Sequence, residues 1–70
     1  MAGNFTAEQI ADAIANPKPG DVWKTPADER EVTMMLSDGL QWIGGYGSRI
    51  CKFKTWRHWT RNATLIQRGA

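Results

Sequence analysis

The sequence is short of the residues on which most catalysis and most covalent stapling depend. Its 70 residues include one cysteine, Cys51, and one histidine, His58. One thiol excludes an intrachain disulfide, and one imidazole with one thiol offers none of the Cys/His spacings of a zinc site. The longest apolar run, Met34-Met35-Leu36, is far too short to span a bilayer. The first residues, MAGNFTAEQIADAIANP, lack the basic and continuous apolar regions of a signal peptide, so the expectation is a cytoplasmic protein with no membrane association. No acid follows Asp38. Residues 1–38 carry seven acids against three bases, a balance of −4, and residues 39–70 carry six bases and no acid, +6. Such asymmetry points to a polyanion-facing side, unless the two halves interleave in the fold and neutralise one another.

What the chain has in quantity is tryptophan, four residues with two Phe and one Tyr, within a 41% hydrophobic composition. That suffices for one compact core near the lower size limit of a single domain, and leaves no room for a deep walled pocket. The expectation is a single domain over 1–70, with residues 1–17 a helical arm and 18–70 a β-rich body.

Thr6 and Gln9 have the spacing of a capping box, and Phe5 with Ile10 that of a hydrophobic staple. Ala7, Ile10, Ala11 and Ile14 follow at i, i+3, i+4, i+7, one apolar stripe, and Pro17 stops the helix. A helix of about ten residues is marginal alone, so the stripe must dock, as a lid on the core or on a partner. Lys18-Pro19-Gly20-Asp21 fits a type II turn. Val22-Trp23-Lys24 reads as a short strand and 25–30 as a polar loop. Alternation from Glu31 predicts a half-buried strand with Val32, Met34 and Leu36 on one face. Asp38-Gly39 predicts a type I′ hairpin into Leu40–Ile43. Gly44–Ser48 reads as a loop and Arg49–Lys54 as a further strand. Thr55 is placed to cap a short helix through Asn62, with Trp56 and Trp59 on one side, and Ala63–Gln67 closes the order as a last strand.

The fold class expected is therefore mainly β within α+β: an N-terminal helix, then five short strands with a short helical turn before the last. The succession over residues 19–68 resembles an SH3-like small barrel. The Pro19-Gly20-Asp21-x-Trp23 opening and the Trp56…Leu65-Ile66 close resemble those of small bacteriophage and prophage proteins. The resemblance implies a binding module, and barrels of this kind serve nucleic-acid and peptide binding alike.

Residues 52–61, KFKTWRHWTR, set Lys52, Lys54, Arg57 and Arg61 around the single histidine and two tryptophans. With Arg49, these cations could neutralise several phosphates, while Trp59 or Tyr46 stacks on an unpaired base. The bland alternative is that both tryptophans close the core and the bases are only solvated. A Cys51–His58 nucleophile lacks a third orienting residue, and a thiol among apolar neighbours is ordinarily inert. Asp28, Glu29 and Glu31 read as solvated loop carboxylates, without the makings of a metal site. Gly44-Gly45-Tyr46-Gly47 lacks the Lys-Ser/Thr of a phosphate-binding loop. The expectation is a non-enzymatic module without cofactor or metal, monomeric or homodimeric. It would bind nucleic acid as a phage-type accessory or regulatory protein; the alternative is a protein-interaction module, such as a phage inhibitor of an acidic host protein.

Overall fold

The computed structural model describes residues 5–69; residues 1–4 of the expected arm, and Ala70, lie outside them. In chain order the elements are α1 (Ala7–Ala15), β1 (Val22–Lys24), β2 (Glu29–Met35), β3 (Gly39–Gly44), β4 (Gly47–Lys52), α2 (Phe53–Thr60) and β5 (Thr64–Gln67). The strands form one antiparallel sheet in the order β4-β3-β2-β1-β5. This is α+β, as expected, with the second helix before the last strand. The sheet is open: β4 and β5 stand at opposite edges and do not pair, so the ladder does not close a barrel.

Helix α1 begins as its sequence dictates. Gln9 N–H donates to Thr6 Oγ1 (3.1 Å) and Thr6 N–H donates to Gln9 Oε1 (2.8 Å), both halves of the capping box. Its inward face is rotated from the expected stripe. Ala13, fully buried, joins half-buried Ile10 and Ile14 against the core, while Ala7 and Ala11 are exposed. The helix is thus a lid on the core.

The turn at 18–21 forms as predicted, with Asp21 N–H donating to Lys18 O (3.0 Å) and Gly20 at φ 96°, which L side chains rarely adopt. The β2–β3 hairpin forms, but not through a type I′ turn. Leu36 N–H donates to Gly39 O (2.8 Å), so the central residues are Ser37 and Asp38, and neither has positive φ. Gly39 is needed for another reason: a Cβ there would overlap the Cys51 carbonyl oxygen of the adjacent strand.

Alternation in β2 breaks at a bulge. Val32 pairs with Trp42 and Met34 with Gln41, leaving Thr33 as an extra residue. One inserted residue reverses the parity beyond it. Met34, expected inside, is 49% exposed, and Met35 packs against the core instead. The 25–30 segment is also less of a loop than its composition suggests, since β2 already begins at Glu29. Helix α2 likewise starts early, at Phe53, so Thr55 lies within it and Lys52 is its N-cap without a side-chain bond. Phe53, Trp56 and Thr60 supply its inward face.

The core consists of Ala13, Trp23, Val32, Leu40, Trp42, Trp56 and Leu65. The indole N–H groups of Trp23 and Trp56 find no acceptor among the described residues. Burying an aromatic ring of this size removes roughly 150–250 Å² from water, worth about 4–6 kcal/mol. An unpaired N–H costs about 1–3 kcal/mol, so the burial wins.

Beside this core sits one charged group that is fully buried, Asp21. Its Oδ2 accepts from Lys18 N–H (2.9 Å) and Arg68 Nη1 (2.6 Å), and its Oδ1 accepts from Gly69 N–H (2.7 Å). Arg68 also donates to Asp12 Oδ2 (2.8 Å) and to the Asn16 carbonyl (3.1 Å). The clasp joins α1, the 18–21 turn and the segment after β5. Removing one partner of a buried pair leaves an uncompensated charge, so Arg68→Ala should lower the unfolding free energy by about 3 kcal/mol in urea titrations. Asp12→Ala, at the more exposed end, should cost a small fraction of that. Equal effects, or no effect of Arg68→Ala, would contradict this account of the clasp.

Candidate functional site

The outward side of α2 carries the chain's concentrated positive charge. Lys54, Arg57, His58 and Arg61 recur at i, i+3, i+4, i+7 and share one face, opposite the Trp56/Thr60 side that seals the core. With Thr55 they line an open depression of about 560 Å³. The described ion pairs are Arg30–Asp28, Arg68–Asp12 and Arg68–Asp21. Of the six bases after Asp38, Arg68 alone pairs with carboxylates of the acidic half; Arg49, Lys52, Lys54, Arg57 and Arg61 have no carboxylate partner among the described residues. The two halves therefore do not neutralise each other at α2.

Arg57 is oriented as well as exposed. Its Nε donates to the Ile14 carbonyl (3.4 Å), and its guanidinium lies 5.6 Å from the centre of the Phe53 ring. Helix α1 has no base in its own last turn. Arg57 and Arg68, arriving from elsewhere in the chain, meet its C-terminal carbonyls and the partial negative charge there. At the opposite pole, the start of α2 carries Lys52 and Lys54 with no acid in the first turn. That is the reverse of what a helix dipole favours, and an anion at this end would relieve it.

The remaining sequence-predicted residues lie apart from this face. Arg49 pairs with Trp42, so it projects to the core-side face of β4, whereas Lys52 alternates to the other side. Tyr46 is 91% exposed at the two-residue β3–β4 turn. From there β4 runs six residues, about 20 Å, to the start of α2. Trp59 is half-buried and already occupied: its ring centre is 5.3 Å from that of Trp56, and the Arg30 guanidinium stands 4.2 Å from its centre. The same guanidinium is 4.0 Å from the Trp42 ring, so Arg30 is held between two indoles. A base stacking on that face of Trp59 would first have to displace Arg30. Nothing in the 25–30 composition marked Arg30 for this position; the signal would have been a strand beginning at Glu29.

Asp28 holds the clamp from below, accepting from Arg30 Nε (2.9 Å) and from Glu29 N–H (2.9 Å). The Arg30 hydrogen bond keeps the Asp28 carboxyl below the usual carboxylate range. Burial pushes the half-buried Cys51 thiol up, away from a reactive thiolate. Cys51 pairs with Leu40 on the core side of β4, while His58 faces outward from α2, and no hydrogen bond joins them. Among the described residues no three metal-ligating side chains cluster, and no helix is long and apolar enough to cross a membrane. Comparison with known proteins finds no matching family model, no similar curated protein and no solved structure of matching fold.

The clamp has a pH signature. A carboxyl whose folded pKa is lowered contributes stability that is fully present above its unfolded value, about 3.9, and lost as the pH falls through the folded value. The stability difference between the parent and Asp28→Asn should therefore be constant near neutrality and shrink below about pH 4. A difference unchanged down to pH 2.5 would show that the Asp28 charge contributes nothing to the clamp.

Proposed function

We propose that the protein is a non-enzymatic binding module that holds the phosphate backbone of a nucleic acid along the outward face of α2. The observation that carries this reading is the row Lys54, Arg57 and Arg61, unpaired with any carboxylate among the described residues and lining one open depression. Lys52 lies off this row, beside the helix start, where an anion is electrostatically favoured. Open and unwalled, the depression suits a chain of phosphates better than a small molecule, which needs an enclosing pocket.

The geometry bears on how such a contact would work. From Lys54 to Arg61 the helix advances about 10 Å, which at one charge per 3.4 Å of strand spans about three phosphates. Binding of this kind orients the nucleic acid without reading its sequence. Tyr46 and Arg49 would be reached only by a strand that continues along β4. The strand order and the short helix before β5 favour an SH3-like relationship, and the Pro19-Gly20-Asp21-x-Trp23 opening favours an accessory or regulatory role of the phage or mobile-element kind.

Titration with single- and double-stranded oligonucleotides over a series of salt concentrations tests the reading. The logarithm of the association constant should fall with the logarithm of salt with a slope of about −2 to −3. Lys54→Glu with Arg61→Glu should weaken binding at least tenfold and flatten that slope by about 2, while circular dichroism stays that of the folded domain. Salt-insensitive binding, or affinity that survives both reversals, would refute the α2 face as the site.

A further inference from the structure

Strand β4 ends the sheet, so one of its sides faces no other strand. The β3–β4 hairpin turns on Gly45-Tyr46, with Gly44 opposite Gly47. A two-residue hairpin makes its closing residues a hydrogen-bonded pair, and such pairs alternate along an antiparallel ladder. Ser48, Ile50 and Lys52 therefore turn their N–H groups toward the open edge. Natural edges are blunted by shortness, proline, bulges or charge. This one is six residues long, regular in register and free of proline; only Arg49 and Lys52 protect it.

Next to that edge lies an uncovered apolar surface. Met34, Ile43 and Ile50 are 49%, 44% and 69% exposed. Met34 stands opposite Gln41 and Gln41 opposite Ile50, with Ile43 two residues further along β3, so the three side chains share the outward face of neighbouring strands. With Tyr46 they are the large exposed apolar side chains of the described residues, and all four belong to β2–β4 or its turn.

Charge selects the occupant. A second copy paired antiparallel about Ile50 would set its Arg49 diagonally beside this one on the same face, a repulsive arrangement, with a Lys52 at each end of the seam. A strand bearing carboxylates removes that repulsion. Side-chain parity sharpens the match, because Arg49 lies on the core-side face of β4 and Ile50 on the outward face. We propose that the β4 edge receives an extended segment of a partner protein in which acidic and apolar residues alternate, adding a sixth strand to the sheet. Its apolar side chains lie beside Ile50 on the outward face, and its carboxylates lie on the Arg49 side. The surface is separate from the α2 face, and the inference goes beyond the nucleic-acid reading.

The test uses short peptides alternating Glu and Val, an equivalent alternating Lys and Val, and two N-methylated forms of the first. In the proposed pairing the residues opposite Ile50 form hydrogen-bonded pairs, so Val amides face β4 and Glu amides face away. Amide resonances of Ser48, Ile50 and Lys52 should shift on addition of the Glu-Val peptide. N-methylation at Val should weaken binding at least tenfold and at Glu less than about twofold; the Lys-Val peptide should bind at least tenfold more weakly. Ile50→Asp should reduce peptide affinity about tenfold and leave oligonucleotide affinity within twofold, which separates this surface from the α2 face. The proposal is overturned if no peptide binds, if both N-methylated forms bind alike, if Lys-Val binds as well as Glu-Val, if an oligonucleotide shifts the Ser48 and Ile50 amides, or if the protein proves to be a dimer that Ile50→Asp dissociates.

Discussion

The structure depends on a carboxylate it can bury only because an arginine comes back for it. Asp21 has no solvent exposure, and a lone carboxylate in such a place would be driven to protonate or to unfold its surroundings. Arg68 and the N–H groups of Lys18 and Gly69 surround it, drawn from the turn before β1 and from the segment after β5. The Asp21 backbone carries the contact onward: its carbonyl accepts from Val32 N–H, and Gly20 N–H donates to the Val32 carbonyl. One side chain thus fixes the lid helix, the first turn, the centre of β2 and the end of the chain.

Seen against that clasp, the distribution of charge follows a simple division. Arginines that meet acids, Arg30 and Arg68, are fastened inside the fold, one between indoles and one between helix and turn. Arg57 is fastened by a carbonyl at one nitrogen and leaves its charge uncompensated. Among the described residues, the cations without a carboxylate partner are Lys18 in the first turn, Lys24 on β1, and the group on β4 and α2. Lys54 and Arg61 make none of these structural contacts, so charge there can change without touching the core.

Much of this was legible in the chain. Thr6 and Gln9, Pro17, Gly20 and the order of elements are local signals, and local physics decided them. The lid role of α1, the outward turn of the bases on α2 and the closing role of Trp56 followed from periodicity. What escaped was set by distant partners. Thr33 cannot be recognised as a bulge from β2 alone, since the extra residue exists only relative to β3, and so Met34 and Met35 exchanged faces. Gly39 looked like a turn glycine because its neighbour is Asp38, whereas the demand on it comes from the Cys51 carbonyl across the sheet. Arg30 read as a loop cation because its two indole partners lie 12 and 29 residues away in a chain with four tryptophans. For the candidate site, composition located the basic segment, and only the helix register could separate Lys54, Arg57 and Arg61 from Arg49 and Tyr46.

The clasp also dictates when this domain can fold during synthesis. Asp21 waits for partners 47 and 48 residues downstream. A ribosome adds about 5–20 residues per second, so for seconds the emerging segment holds a carboxylate that has no burial site to enter. The lid cannot be locked, nor β1 receive its second neighbour β5, until the chain through Gly69 has cleared the exit channel. Contacts so distant in sequence slow folding, and here they also make it a single late event.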